Sequence, residues 1–291
     1  MKTQTLRDFF KQFPSDQACL DHLFEARYGS DYVCPKCEKQ GKWYPLTNRR
    51  AYSCQWCGHH EYPCVDTPFH RSRTSLQLWF YAIWMFTTSR HGVAAKELER
   101  QLGVTYKAAW RMAKVIREHM SRVDGDEPLS GTVEIDESMF SGRRKGIGGG
   151  FKVVGNKAIV LGMVQRDGDV QTQVVPNSQA KTLLPIIEAN VVKGSTINTD
   201  EAHAYKSLSK RGYKHETVDH GRKEYARGDV TTNSMESYWA RLKNSIRGTH
   251  VHVSSKYLDL YADEFEFRHN RRKCPETMFP ELLSTFEPLK K

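Results

Sequence analysis

The stretch Thr132-Val133-Glu134-Ile135-Asp136 decides how the second half of the chain is expected to fold. Its apolar and β-branched residues predict a strand that ends in an acid. A second stretch of this kind, Ser195-Thr196-Ile197-Asn198-Thr199-Asp200, ends in another acid, and 63 residues separate the two aspartates. After 35 more residues, Glu236 lies in a helix-like stretch from Asn233 to Lys243. Three such acids can converge on one or two hard cations, which prefer carboxylate oxygens.

The elements around these acids follow an order that is typical of a mixed α/β sheet. We predict strands over Thr132–Asp136, Ala158–Val164, Val170–Val175 and Thr196–Asp200, with a helix over Thr182–Val192 before the fourth strand. If the first and fourth strands pair in the centre of the sheet, Asp136 and Asp200 lie side by side. Glu236 then comes from a helix packed against the sheet.

Two neighbouring glutamates need separate interpretation. Glu134 alternates with Asp136 on one strand face, so it is a candidate fourth metal ligand. Glu137 points to the other face, and we expect it to be solvated.

The charge of the chain indicates a polyanionic partner. The 291 residues include 44 Lys and Arg against 34 Asp and Glu, a formal net charge of +10. Charge for solubility is the alternative, but the basic residues are clustered: six lie between Ser138 and Arg166, where there is no acid. Three of them, Arg143, Arg144 and Lys145, begin a Gly-rich stretch that we interpret as a flexible DNA-contacting loop. Together with the acids, this charge predicts metal-assisted chemistry on a phosphodiester.

The sequence contains no signal for a membrane or for secretion. The longest apolar run, Leu78–Phe86, has nine residues, which is too short to span a bilayer and indicates a buried helix. The first ten residues lack the apolar core of a signal peptide. We therefore expect a cytoplasmic protein without a membrane partner, in a cell that has no nuclear barrier.

Four of the seven cysteines are spaced for a zinc ribbon. They occur as Cys34-Pro-Lys-Cys37 and Cys54-Gln-Trp-Cys57, with 16 residues between the pairs, a length that suits a short hairpin. Disulfides are the alternative, but nothing in the sequence indicates an oxidising compartment. We therefore expect structural Zn²⁺ on these four thiolates. His59, His60 and Cys64 are less favoured substitutes for one of the four ligands.

A helix-turn-helix pattern follows the cysteine pairs. A helix is predicted to end at Leu102, Gly103 supplies the turn, and Thr105 caps a second helix from Tyr106 to about His119. We expect Tyr106, Lys107 and Arg111 to face DNA. A plain packing hairpin is the alternative.

These patterns divide the chain into five segments. They are an N-terminal helical segment over 1–29, a zinc ribbon over 30–66, a helix-turn-helix region over 72–122, a catalytic domain over 131–273 and a C-terminal tail over 274–291. The linker from Val123 to Gly131, which is rich in turn formers and acids, marks the boundary before the catalytic domain.

Several motifs carry a resemblance to a known family. They are Asp200–Tyr205, His215–His220, Glu224–Asp229, Asn233–Trp239, Gly248–Ser254 and Asp263–Arg272. With the cysteine pairs, they resemble the DDE transposases of bacterial insertion sequences, in the ISXO-like branch that carries an N-terminal zinc ribbon. The match spans about Cys34 to Arg272. It implies an RNase H-like catalytic core in a bacterial protein associated with the nucleoid.

The resemblance also implies roles for particular residues. Asp136, Asp200 and Glu236 are expected to bind two Mg²⁺ ions, with Mn²⁺ able to substitute, and Lys243 to contact the DNA end. Asn233, one turn before Glu236, matches a family position and is an alternative or supporting third ligand.

The expected activity is that of a transposase. It binds the terminal repeats of an insertion sequence as a dimer or higher oligomer, cleaves a strand and transfers the freed 3′-hydroxyl to target DNA. An RNase H-type or structure-selective nuclease shares the acids, and a DNA-binding regulator derived from a transposase shares the N-terminal modules. These two remain the alternatives.

Overall fold

Short helices and one small sheet form the first part of the chain. The computed structural model describes residues 4–125, 127–140, 158–218, 226–227 and 230–286. The chain divides into two units, Met1–His119 with Cys274–Lys291, and Met120–Lys273. The elements up to the end of the first long segment are α1 (Leu6–Gln12), α2 (Asp16–Tyr28), β1 (Trp43–Pro45), β2 (Tyr52–Cys54), β3 (His60–Glu61), α3 (Leu76–Thr88), α4 (Ala95–Leu102) and α5 (Tyr106–Asp124).

Local capping explains where several of these helices begin. Thr5 and Asp8 form a reciprocal capping box at α1, because the side chain of each accepts a hydrogen bond from the backbone N–H of the other. Ser75 caps α3 by accepting a hydrogen bond from the Leu78 N–H at 3.2 Å. The long apolar run lies in α3 and buries Trp79 and Phe80, which confirms the expected buried helix.

The second unit contains most of the remaining elements. They are β4 (Thr132–Phe140), β5 (Ala158–Gln165), β6 (Val170–Val175), α6 (Ala180–Asn190), β7 (Thr196–Thr199), β8 (Lys214–Thr217), β9 (Ala226–Arg227), β10 (Val230–Thr231), α7 (Asn233–Ser245) and α8 (Leu258–Asn270). A π-helical turn, Ile246–His250, extends α7. The last helix, α9 (Met278–Ser284), belongs to the first unit.

Five strands of the second unit form a mixed sheet in the order β6-β5-β4-β7-β8. The first three are an antiparallel meander, while β7 pairs in parallel with β4 and β8 in parallel with β7. This is the strand order of an RNase H-like core, so the predicted fold class is confirmed. The pairing of Glu134 with Asn198 brings Asp136 and Asp200 to the same end of the two central strands.

The two faces of the sheet are covered by different helices. Val133 and Ile135 point to the face that packs against α6, whereas Val160 and Val164 point to the face covered by α7 and α8. Because side chains alternate along a strand, Glu134 and Asp136 share the α7 face. Residues that pack on that face therefore decide the surroundings of the predicted metal ligands.

Strand β4 continues to Phe140, four residues beyond its predicted end at Asp136. The extension pairs with β5, since Glu137 to Phe140 lie opposite Leu161 to Ala158. Asp136 consequently lies inside a paired strand. None of the helices in the described residues has the length and apolarity needed to cross a membrane.

Candidate functional site

The four cysteines predicted to bind zinc come together. The Sγ atoms of Cys34 and Cys57 are 3.6 Å apart, those of Cys37 and Cys54 are 3.9 Å apart, and all four lie within 4.8 Å of one another. A disulfide needs about 2.05 Å, so these are free thiols. A tetrahedral zinc ion with Zn–S bonds of about 2.3 Å separates its sulfur ligands by about 3.8 Å. The cysteine cluster therefore fits one zinc ion.

The same turn follows each cysteine pair. The N–H of Glu38 donates to the carbonyl of Cys34 at 2.9 Å, and the N–H of Gly58 donates to the carbonyl of Cys54 at 3.1 Å. Both residues have positive φ, 56° and 66°. Gly58 suits this conformation, whereas Glu38 adopts it under strain. The repeated turn aims two sulfurs from each pair at a common point.

Aromatic side chains join the ribbon to α2. The ring centroid of Phe24 lies 4.3 Å from that of Tyr52, and Tyr32 stands 4.5 Å from Tyr28 and 5.3 Å from Trp43. A ribbon of this size cannot bury enough apolar surface alone. Helix α2 therefore supplies part of its core.

The two helices and the turn of the predicted helix-turn-helix are present, although α5 continues to Asp124, beyond the predicted end at about His119. Gly103 ends α4 in the left-handed conformation, at φ 63°, and the Thr105 hydroxyl accepts a hydrogen bond from the Ala108 N–H at 3.3 Å. The side chains of Tyr106, Lys107 and Arg111 are exposed on the first turns of α5. Their contact with DNA stays a prediction.

The three predicted acidic ligands occupy three different elements. Asp136 lies half-buried in β4, where the indole N–H of Trp239 donates to its Oδ2 at 3.1 Å. Asp200 directly follows β7, and its Oδ1 accepts a hydrogen bond from the Ala202 N–H at 3.0 Å. Glu236 is exposed in the first turn of α7.

The three acids are close enough for the charges of Asp200 and Glu236 to act on Asp136. Burial raises the pKa of Asp136, and the charges of Asp200 and Glu236 act in the same direction. Within the described residues, only the cysteine cluster brings three or more metal-binding groups within 4.8 Å of one another. The three acids thus lie around a common region. Their oxygen atoms are farther apart than those of ligands that bind a single ion. Their hard oxygen atoms and shared charge suit a divalent cation.

Glu134 has a different role from the fourth ligand that its strand face suggested. Its side chain is fully buried, and its Oε2 accepts hydrogen bonds from the backbone N–H groups of Ser234 (2.8 Å) and Met235 (3.3 Å). Its Oε1 accepts from the Ser234 hydroxyl and from Arg166, both at 3.1 Å. The carboxylate is thus used to fasten the N-terminus of α7 to β4, where the helix dipole favours an anion.

Glu137 is not the solvated residue that we expected. It lies half-buried on the opposite face of β4 from Asp136. Burial raises its pKa to about 7, and the charges of Asp200 and Asp136 add to this effect. Tyr205, which is fully buried, acts in the opposite direction. The local sequence contained no signal for this, because burial is set by packing between distant segments, and Tyr205 itself is 68 positions away.

A glycine that the sequence analysis did not single out lets α7 approach the sheet. Gly162 lies opposite Asp136 in the β4–β5 pairing. A Cβ atom there would stand 2.4 Å from Cε of Met235 and 2.6 Å from Cζ2 of Trp239, closer than side-chain contacts allow. The missing side chain makes room for the indole that bonds Asp136.

The remaining predicted residues are placed as follows. Asn233 is exposed as the first residue of α7. Lys243 is half-buried two turns after Glu236, with its Nζ 5.8 Å from the ring centroid of Phe140. Arg143, Arg144 and Lys145 lie outside the described residues.

Two protein-family models match this chain and identify the class of protein to which it belongs. The model of a transposase zinc-ribbon domain matches residues 14–60, and that of an ISXO2-like transposase domain matches residues 128–270. These matches and the RNase H-like strand order define a DNA transposase with an N-terminal zinc ribbon. The chain belongs to the ISXO2-like family of insertion-sequence transposases.

One of two similar proteins matches about a third of the chain, and the other matches most of it. A transposase-like protein of Haemophilus influenzae is 31% identical over 101 residues, which are 35% of this chain and 80% of the relative. A protein in the transposable element ISH50 of Halobacterium salinarum is 26% identical over 284 residues, covering 91% of this chain and 94% of that protein.

A solved structure is more distantly similar. The crystal structure of a pre-cleavage Mos1 transpososome is 14% identical, covers 72% of this chain and 80% of that chain, and has a TM-score of 0.28. The fold assignment therefore rests on strand order.

Proposed function

We propose that this transposase binds the terminal repeats of its own insertion sequence and catalyses metal-dependent strand cleavage and transfer, with Asp136, Asp200 and Glu236 as the catalytic acids. One observation carries the proposal: α7 is fastened to β4 at Glu134 and again at Asp136, where Trp239 donates. This docking holds Glu236 near Asp136 of β4, beside which Asp200 follows the end of β7.

The chemistry follows from these groups. Two Mg²⁺ ions, or Mn²⁺ in their place, would activate the attacking water and stabilise the leaving 3′-oxygen. The Trp239 indole fixes the orientation of the Asp136 carboxylate. Lys243 contributes positive charge on the same helix as Glu236, where it can bind a DNA phosphate. Asn233, in the same first turn of α7, supports Glu236 or is the alternative third ligand.

The first unit supplies recognition in this proposal. The exposed side chains of Tyr106, Lys107 and Arg111 contact the terminal repeats, and zinc holds the ribbon in its folded form. Joining two transposon ends requires at least a dimer. The reaction takes place on double-stranded DNA in the bacterial cytoplasm, at the nucleoid.

The test uses the full chain with Mg²⁺, linear DNA that carries the flanks of its own gene, and a target plasmid. We expect nicking at the element ends and joining to the plasmid. Asp200→Asn keeps an acceptor for the Ala202 N–H but removes the charge, and we expect it to lower cleavage by at least ~100-fold. Asp169→Asn, an exposed acid of the same unit, serves as the matched control.

Other outcomes would contradict the proposal. Cleavage of arbitrary duplexes or RNA–DNA hybrids, without preference for the ends, indicates a nuclease. Tight binding to the ends without cleavage indicates a regulator. Full activity of the Asp200→Asn variant would remove that residue from the catalytic set.

A further inference from the structure

A cavity of about 420 Å³ lies at the C-terminal end of α7, a volume typical of small-ligand pockets. Its apolar walls come from the end of β4, the π-helical turn, the loop before α8 and the first residue of α8, and include Phe140, Ile246 and Leu258. Lys243 and Arg247 also line it. None of the described residues that form its lining is acidic.

The lining combines two kinds of surface. An aromatic ring and aliphatic side chains favour a flat apolar group, while an ammonium and a guanidinium favour an anion. The Lys243 ammonium lies 5.8 Å from the Phe140 ring centroid, so the two surfaces meet inside the cavity. A ligand that fits both surfaces offers a flat π-face next to an anion. A nucleotide does, through its base and its phosphate.

Strained backbone contributes to the lining of the cavity, at Val251 and His252. The N–H of His252 donates to the carbonyl of His250 at 2.6 Å, and Val251 between them has φ 63° and ψ −48°. This is a γ-turn of the rare positive-φ kind, and it is costly for a β-branched residue. It leaves the Val251 side chain 70% exposed beside the cavity, close to Met139 at 57%. Strain held at a cavity with exposed apolar side chains marks a binding feature.

The cavity lies farther along the same strand and the same helix that carry two of the acids, β4 and α7. Phe140 lies four residues after Asp136 on the same face of β4, about 13 Å along the strand. Lys243 lies seven residues after Glu236, about 10 Å along α7. Stacked nucleotides of one DNA strand advance about 3.4 Å each, so the cavity is a few nucleotides from the acids.

We propose that this basic cavity binds one unstacked nucleotide of the DNA strand engaged at the acids, with its base on the apolar wall and its phosphate on Lys243 and Arg247. The inference rests on the proposed function and adds a subsite to it. A duplex is too wide to enter such a cavity, whereas a single extrahelical base can. Binding the base would hold the strand in one register relative to the acids.

The test places the fluorescent base 2-aminopurine singly at each of the first six positions of both strands of an end duplex. The full chain is added with Ca²⁺ in place of Mg²⁺, so that the DNA stays uncut. We expect fluorescence to rise at one position, because an unstacked 2-aminopurine is brighter. Arg247→Gln and the cavity-filling Val253→Phe should reduce this rise about fivefold or more.

Arg241→Gln is the matched control, since Arg241 is exposed on the same helix but does not line the cavity. It should leave the rise unchanged. Arg247 is exposed as well, so its replacement tests the cavity without disturbing the core. A melting curve checks that Val253→Phe is folded.

The results distinguish failure of the cavity proposal from failure of the proposed function. If the protein nicks its ends but no position brightens, the inference is wrong and the proposed function stands. If the rise persists in both cavity variants, the base unstacks elsewhere and the inference is wrong. If free deoxyadenosine monophosphate displaces the end duplex at equal concentration, the cavity serves free nucleotides instead. Failure to bind end DNA at all overturns both proposals.

Discussion

At the scale of single residues, Glu134 shows how one buried acid can organise a site that it does not enter. It satisfies two N–H groups that the first turn of α7 leaves without an intrahelical partner, and it pairs with Arg166. Asp136 lies two residues away on β4, and Glu236 lies two residues from Ser234 on α7. Together with the Trp239–Asp136 hydrogen bond, this carboxylate thus sets the position of the two acids relative to each other.

Replacing Glu134 should separate positioning from folding. Glu134→Ala leaves buried donors and Arg166 without their acceptor, and should lower the free energy of unfolding by about 3–5 kcal/mol. Glu134→Gln keeps one oxygen acceptor and should fold, but with about tenfold weaker Mn²⁺ binding because α7 shifts. Mn²⁺ titration followed by electron paramagnetic resonance measures this, with exposed Glu127→Gln as control. Unchanged Mn²⁺ affinity in Glu134→Gln would show that the carboxylate only stabilises the fold.

At the scale of elements, α8 covers an edge of the sheet. Strand β6 is the outer strand, so alternate N–H groups point away from β5. Asn270 accepts from the Val170 N–H and Glu266 from the Thr172 N–H, both at 2.8 Å. Two side chains one helical turn apart thereby replace a missing neighbour strand. This closes an edge that could otherwise pair with another chain.

The contact between Glu266 and Thr172 predicts that the stability of the fold depends on pH. Burial raises the pKa of Glu266 to about 8, with the charges of Asp124 and Asp263 adding to it and the hydrogen bonds from Thr172 opposing it. The folded state therefore holds a proton that the unfolded state releases above its ordinary pKa of 4.5. This stabilisation is complete below pH 4.5 and is lost as the pH rises to 8.

Glu266→Gln should remove this pH dependence of the stability, because an amide does not titrate. We expect the variant to gain stability relative to the original protein by up to about 1.4 kcal/mol per pH unit between pH 5 and 8. Urea unfolding at several pH values measures the difference, and values below pH 4.5 are the internal control. A constant difference across this range would mean that Glu266 is ionised throughout.

At the scale of the whole molecule, the chain returns to its first unit at the end. Cys274–Lys291 belongs with Met1–His119, and the ring of Phe279 in α9 lies 6.0 Å from Phe9 and 6.1 Å from Phe13. From the sequence, we expected 274–291 to form a C-terminal tail. Several apolar residues in its described part are in fact buried, including Met278, Leu282 and Leu283. The unit that carries the ribbon is therefore built from both ends of the chain.

Removing zinc should consequently affect one unit more than the other. Cys37→Ser, or a chelator, takes away one ligand or the ion, and should destabilise the first unit by several kcal/mol. The second unit has its own core and should melt as before. Calorimetry with zinc analysis measures both, and Cys274→Ser is the control, since this exposed cysteine lies outside the cluster. Equal zinc content in Cys37→Ser would contradict the four-cysteine site.

The sequence predicted those features that depend on local order. Cysteine spacing predicted the cluster, and Gly103 with Thr105 predicted the turn between α4 and α5. Strand β6 was predicted with its bounds, because turn residues flank it on both sides. The extension of β4 was missed, since Glu137 to Phe140 do not alternate as a half-buried strand should.

By itself, the sequence determined the order of the first four core strands and the helix between them, the zinc ribbon and the family, because these depend on spacing and periodicity along the chain. Only the tertiary structure decided the roles of Glu134, Glu137 and Gly162. Each depends on a partner from 68 to 101 positions away: Ser234 and Met235 for Glu134, Tyr205 for Glu137, and Met235 and Trp239 for Gly162. A buried carboxylate and a solvated one look alike in a sequence, and packing between distant segments is what distinguishes them.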